Sequence, residues 1–180
     1  MRHSLLSLVV LTAAACGSHL SSTDVQSFRS DALTVSAAAS TYGNQTAQMQ
    51  SVTHCTSLHQ QYDSQVRSVI GRMQSVAPEM DSMMADEQHM GDGDMGCGAD
   101  AMMAELDAHR GAACSSSTDM TSNVAEAQRH VALMMEWAAH EASRSQELGS
   151  LMGMEMGMGG AGTSTGRCQH HADGTYSLQP

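Results

Sequence analysis

Residues 24–49 read DVQSFRSDALTVSAAASTYGNQTAQM. Within this stretch Val25, Phe28, Ala32, Val35, Ala39, Tyr42, Thr46 and Met49 recur at alternating steps of three and four. That spacing lays one stripe along one side of a helix, the pattern of a helix buried along a single seam. Thr23 or Asp24 is placed to cap its start. After Cys55 the rhythm resumes with His59, Tyr62, Val66, Val69, Met73 and Val76. Pro78 then ends or kinks the run, because proline lacks the amide donor of a helix interior. Gly43-Asn44 is the only local break before it. Residues 23–76 therefore form one very long helix or two helices turning near 43, and two are preferred.

Beyond Pro78 a third helix is expected from Pro78-Glu79 through Met80, Met83 and Met84. It is broken by GDGDMGCG at 91–98, resumes near Ala99 and runs to His109. Ser115-Ser116-Ser117-Thr118-Asp119 reads as a turn with several capping residues. The last helix spans about 120–149, with Val124, Val131, Met134, Ala138 and Leu148 facing inward. Turns near 43, 77 and 116 give segments of similar length, which suit an all-α, up-and-down four-helix bundle. After Leu151 the period fails, and the methionine- and glycine-rich remainder reads as a flexible tail. The expected organisation is a leader at 1–15, a polar tether at 16–22, the bundle at 23–150 and the tail at 151–180.

The amino terminus carries its own signal. Arg2 precedes the apolar run Leu5, Leu6, Leu8, Val9, Val10 and Leu11, and Ala13-Ala14-Ala15 leads to Cys16. A charged start, a short apolar core and small residues before a cleavage point make an export signal. The run is too short to span a bilayer, which takes about 20 residues. The Ala-Ala-Ala-Cys junction resembles the lipobox of bacterial lipoproteins, with Ala13 where that family usually has leucine. The resemblance implies that Cys16 is lipidated and becomes the new amino terminus. Gly17 after it implies the outer membrane, facing the periplasm. More than one acyl chain gives stable anchoring.

Composition narrows function further. The formal charge is −11, and loss of Arg2 with the leader makes it −12. Nucleic acid needs a basic footprint, and anionic lipid needs a polybasic patch, so both are disfavoured as direct partners. All eight basic residues are arginine, a bias that a GC-rich genome explains. Such a bias does not explain 17 methionines against 12 leucines. Four cysteines remain in the exported chain: Cys55, Cys97, Cys114 and Cys168. Without a CxxC they read as two disulfides, with three possible pairings. With a turn at 77, Cys55 and Cys97 lie level on antiparallel helices, which leaves Cys114 for Cys168.

The methionines are the first chemical candidate, since thioethers are soft ligands that favour Cu(I). Met80/Met84 and His130/Met134 are four residues apart, on one helix face each. His89, Met90 and Met95 flank the glycine-rich break. Met152, Met154, Met156 and Met158 follow at steps of two, which no helix period explains. This tail resembles the Met-Gly-rich segments of periplasmic copper-handling proteins. Against this stands the plain reading of helical methionines as core filler. Glu105/His109, Glu126/His130 and Glu136/His140 are carboxylate–imidazole pairs at i, i+4. They resemble the ferritin-like di-iron motif, whose step is three, without matching it. Trp137 shares a stripe with His130 and Met134, where it shields a cation or anchors the core. His54 and His59 near Cys55, and His170-His171 after Cys168, complete the candidates. Asp92-Gly-Asp94 is a fragment of a calcium loop without its remaining ligands.

No Gly-x-Ser-x-Gly, His-Glu-x-x-His or phosphate-binding loop is present, so no enzyme is expected. The expected function is a lipid-anchored envelope protein that binds a soft metal, Cu(I) first, through Met80, Met84, His89, Met90, Met95, His130, Met134, His140 and the tail methionines. A metal-transfer partner would accompany it. The alternative is a structural or interaction lipoprotein with a methionine-rich core, docking an envelope partner without metal.

Overall fold

Ser21 opens the first helix. Its hydroxyl accepts from the Asp24 amide at 3.2 Å, while its own amide donates to the Asp24 carboxylate at 2.8 Å. This reciprocal capping box satisfies two amides that have no partner within the helix. It starts the helix slightly earlier than Thr23 or Asp24 would. In the computed structural model, which describes residues 20–86, 94–116, 118–153 and 167–179, α1 spans Ser22–Thr46. Its buried residues are Val25, Phe28, Ala32, Val35, Ala39, Tyr42 and Thr46, the expected stripe. The turn falls after Thr46 rather than near 43. Gly43 stays helical, and a Cβ there would lie 3.2 Å from Val131 Cγ1. Its glycine therefore serves close packing on the last helix instead of chain reversal.

Helix α2 spans Val52–Asp86 with Pro78 inside it, so the expected end near 76 does not hold. The reason lies in the stripe. Met73, Ala77, Met80 and Met84 continue the three-and-four spacing and are essentially fully buried. An interior proline costs about 3 kcal/mol. Burying two methionines returns about 1.5–3 kcal/mol each, so packing carries the helix through.

Helix α3 spans Asp94–Ala112, taking in glycines that the sequence marks as a break. Asp81 on α2 accepts from the amides of Met95 and Gly96, both at 2.9 Å. A carboxylate from a neighbouring helix thus caps the positive end of α3. Helix α4 spans Met120–Leu151, with Asp119 as its cap accepting from the Ser122 amide at 2.8 Å. In the turn before it, the Asn123 side chain both accepts from and donates to the Ser115 backbone, each at 3.0 Å.

Four helices therefore run up and down. α1 packs on α2 and α4, and α3 packs on α2 and α4. The α2–α3 pairs Gln74–Asp100, Arg67–Asp107 and Asp63–Arg110, each at 2.7 Å, are all centred near residue 87. Moving the turn from 77 to this level overturns the expected cysteine pairing. Cys97 now lies level with residue 77 of α2. That is 22 residues, about 33 Å of helix, from Cys55, beyond any disulfide. The observed bonds are Cys55–Cys114 and Cys97–Cys168, with Cα separations of 5.5 and 5.9 Å.

The second bond holds a feature that the reading of a flexible tail missed. Strands β1 (Arg167–His170) and β2 (Tyr176–Gln179) form an antiparallel hairpin, packed on α3. Its turn places Gly174 at φ 83°, a conformation that favours glycine.

Candidate functional site

The stripes of four helices deliver a polar layer to the middle of the bundle. Tyr42 comes from α1, His59 and Tyr62 from α2, Glu105 and His109 from α3, and Glu126 and His130 from α4. His109 and His130 have no exposed surface, and Tyr42, Tyr62 and His59 keep 8% or less. The two imidazoles stack face to face with ring centroids 3.9 Å apart. The two phenol rings stack likewise at 4.5 Å.

The hydrogen bonds cross between helices. His130 Nδ1 lies 2.9 Å from Glu105, and His109 Nδ1 lies 3.2 Å from Glu126. Each histidine thus takes the carboxylate of the other helix, not the one four residues before it. At their far nitrogens, His130 Nε2 meets the Tyr62 hydroxyl at 3.2 Å and His109 Nε2 meets the Tyr42 hydroxyl at 3.1 Å. Both phenol contacts run diagonally across the bundle, α2 to α4 and α1 to α3. Ionised carboxylates only accept, so each imidazole donates from Nδ1, which leaves Nε2 of the neutral His109 to accept from the Tyr42 hydroxyl and sets Nε2 of His130 against the Tyr62 hydroxyl. Two parallel relays result: Glu105–His130–Tyr62 and Glu126–His109–Tyr42. Arg129 closes the layer, bonding both carboxylates at 2.8 Å.

Burial sets the electrostatics. It pushes His109 down to about 4, helped by the neighbouring His130 and opposed by Glu126. Burial also holds His59 below the usual imidazole range, and the His59 Nδ1 atom is buried without a partner among the described residues. The Arg129 guanidinium brings Glu126 down to about 2. For Glu105, burial pulls upward, but bonds from His130 and Arg129 outweigh it and leave it lowered. Burial, then the Glu126 charge, raises Tyr42 to about 12; Tyr62 is raised too, for the same leading reason. The layer therefore holds ionised carboxylates, a neutral His109 and protonated phenols near neutral pH.

The sequence candidates are distributed unevenly. Met80, Met84, Met95 and Met134 are fully buried in the core. His130 belongs to the layer. His140 is fully buried and bonds Glu141 at 3.0 Å rather than Glu136, which is exposed. Trp137 packs in the core, edge-on to His140 at 6.2 Å. Met152 sits at the carboxyl cap of α4, half-buried. Cys16, His89, Met90, Met154, Met156 and Met158 lie outside the described residues. Among the described residues no three His, Cys, Asp or Glu side chains converge to hold a metal. Nor is any described helix long and apolar enough to cross a membrane.

Tyr42 and Tyr62 were visible in sequence only as stripe positions, and His109 only as half of a surface pair. The available signal was that five polar aromatic or imidazole residues occupied positions where the stripe called for aliphatic ones. No family model, curated protein or solved structure matches this chain.

Proposed function

We propose that this chain is a lipid-anchored envelope protein that binds a soft metal, Cu(I) first, at the end of the bundle from which its amino-terminal tether leaves. One observation carries the reading. The up-and-down topology brings the start of α1, the end of α2, the start of α3 and the end of α4 to the same end. The Asp31–Arg72 and Arg29–Gln146 contacts tie the start of α1 to the carboxyl halves of α2 and α4 there. Asp86 and Asp94, which flank residues 87–93 with His89 and Met90, lie at this end. Met152, the first methionine of the 152–158 run, caps α4 at this end, and Cys97–Cys168 bonds the hairpin to the start of α3. The described residues that flank these two donor-rich segments thus share one end of the bundle with Met83, which is 36% exposed. The core methionines have an occupation already, so the proposal rests on these segments. Thioethers bind without losing a proton.

The test is Cu(I) titration against a competing chelator at pH 7 and pH 5. Tight binding that persists at pH 5 and is lost when Met152, Met154, Met156 and Met158 become leucine supports the reading. Failure to compete with the chelator defeats it. The second reading, an interaction lipoprotein without metal, draws on the packing of Met73, Met80, Met84, Met95, Met102 and Met134, all buried to within 1%. Under that reading Cu(I) leaves the melting temperature unchanged.

A further inference from the structure

We propose that Tyr42 and Tyr62 form a redox-active pair, giving up one electron to a strong one-electron oxidant of the oxygen-centred radical class while the phenolic proton passes to the bonded imidazole. The layer has the parts that this chemistry needs. Oxidising a phenol without moving its proton would leave a radical cation in the bundle interior, where an uncompensated charge is costly. Here each hydroxyl faces an imidazole nitrogen at 3.1 or 3.2 Å. Behind each imidazole stands a carboxylate, at 3.2 Å for His109 and 2.9 Å for His130.

The step balances. The oxidant gains one electron. The Tyr O–H bond breaks, an N–H bond forms at Nε2 of His109 or His130, and a neutral phenoxyl radical remains. The new imidazolium already donates from Nδ1 to Glu126 or Glu105, so its charge arises next to an opposite one. No proton leaves the protein. The two rings, tilted by only 12° at 4.5 Å, let the oxidising equivalent pass between the tyrosines.

Access is also present. A groove of about 400 Å³ between α1 and α2 is lined by both tyrosines together with Leu33, Ala37, Leu58 and Gln61. Among the described residues no charged one lines it, and residues 32–62 contain no Asp, Glu, Lys or Arg at all. An anionic oxidant therefore meets less local repulsion here than beside the carboxylates elsewhere on a chain of net charge −11. The chain has only one other tyrosine, Tyr176 on the hairpin, and one tryptophan, Trp137, which makes the assignment tractable.

The experiment uses the full chain and photogenerated tris(bipyridine)ruthenium(III), with freeze-quenched electron paramagnetic resonance as readout. A tyrosyl signal is expected in the parent protein and in Tyr176→Phe. In Tyr42→Phe/Tyr62→Phe it should decay roughly tenfold faster, about 1.4 kcal/mol in barrier. Its rate of formation should not depend on buffer concentration, because the proton acceptor is internal. Loss of the signal in Tyr176→Phe, or equal yield and lifetime in the double variant, overturns the proposal. So does a formation rate that rises with buffer concentration. Tyr176→Phe lies on the hairpin outside the bundle, so the test survives even if the double variant fails to fold.

Discussion

At the scale of single residues, a few side chains carry disproportionate weight. A Cβ at Gly98 would lie closer to the Glu141 carboxylate than any real contact allows. Gly98→Ala is therefore expected to lower stability by about 1–3 kcal/mol, read from the urea midpoint at constant slope. An unchanged midpoint would mean that Glu141 moves aside freely. His109 gives the molecule an acid sensitivity whose sign follows from its environment. Its folded value of about 4 lies below the unfolded 6.5, so the unfolded chain binds the proton first. Stability is full above about 6.5 and falls as pH drops from there to about 4, by roughly 3 kcal/mol. Glu126, brought down to about 2, extends the loss below 4.5; because the two are bonded partners, their contributions do not simply add. Thermal melts from pH 7 to pH 4 should show the decline, and His109→Gln should flatten its upper part. A parent protein equally stable at both ends of that range would contradict this account.

At the scale of elements, legibility tracked the locality of the cause. The α1 stripe could be read residue by residue because helix period and burial agree from Val25 to Thr46. The α2–α3 boundary could not. Pro78 and the glycines at 96 and 98 signal breaks locally, and tertiary contacts override them: buried Met80 and Met84 in one case, the Asp81 cap and the Glu141 approach in the other. Pro78 is solvent-exposed, so replacing it removes a backbone penalty without opening the core. Pro78→Ala should raise the unfolding free energy by about 1–3 kcal/mol, visible as a higher melting temperature. A lower one would show that the proline is needed where it stands. The Tyr–His–Glu layer was illegible for a related reason. Each helix shows its Glu-x-x-x-His pair openly, but the crossed partners depend on how α3 meets α4, which no single helix records.

At the scale of the whole molecule, the two disulfides have different tasks. Cys55–Cys114 ties the start of α2 to the end of α3 across a sequence separation of 59, while Cys97–Cys168 holds only the hairpin against α3. Replacing the first pair by serine should cost the bundle about 4 kcal/mol on a chain-entropy argument. Replacing the second should leave the helical circular dichroism and melting temperature nearly unchanged, while amides of 167–179 lose protection from hydrogen exchange. A global drop in melting temperature from the second replacement would place the hairpin inside the cooperative unit. The crossed relays reach further, into heredity. Position 105 is bound to 130 and position 126 to 109, although each helix carries its own acid and imidazole side by side. In descendants of this gene, an exchange at 105 should therefore be answered at 130 and one at 126 answered at 109, rather than at the partner four residues along the same helix.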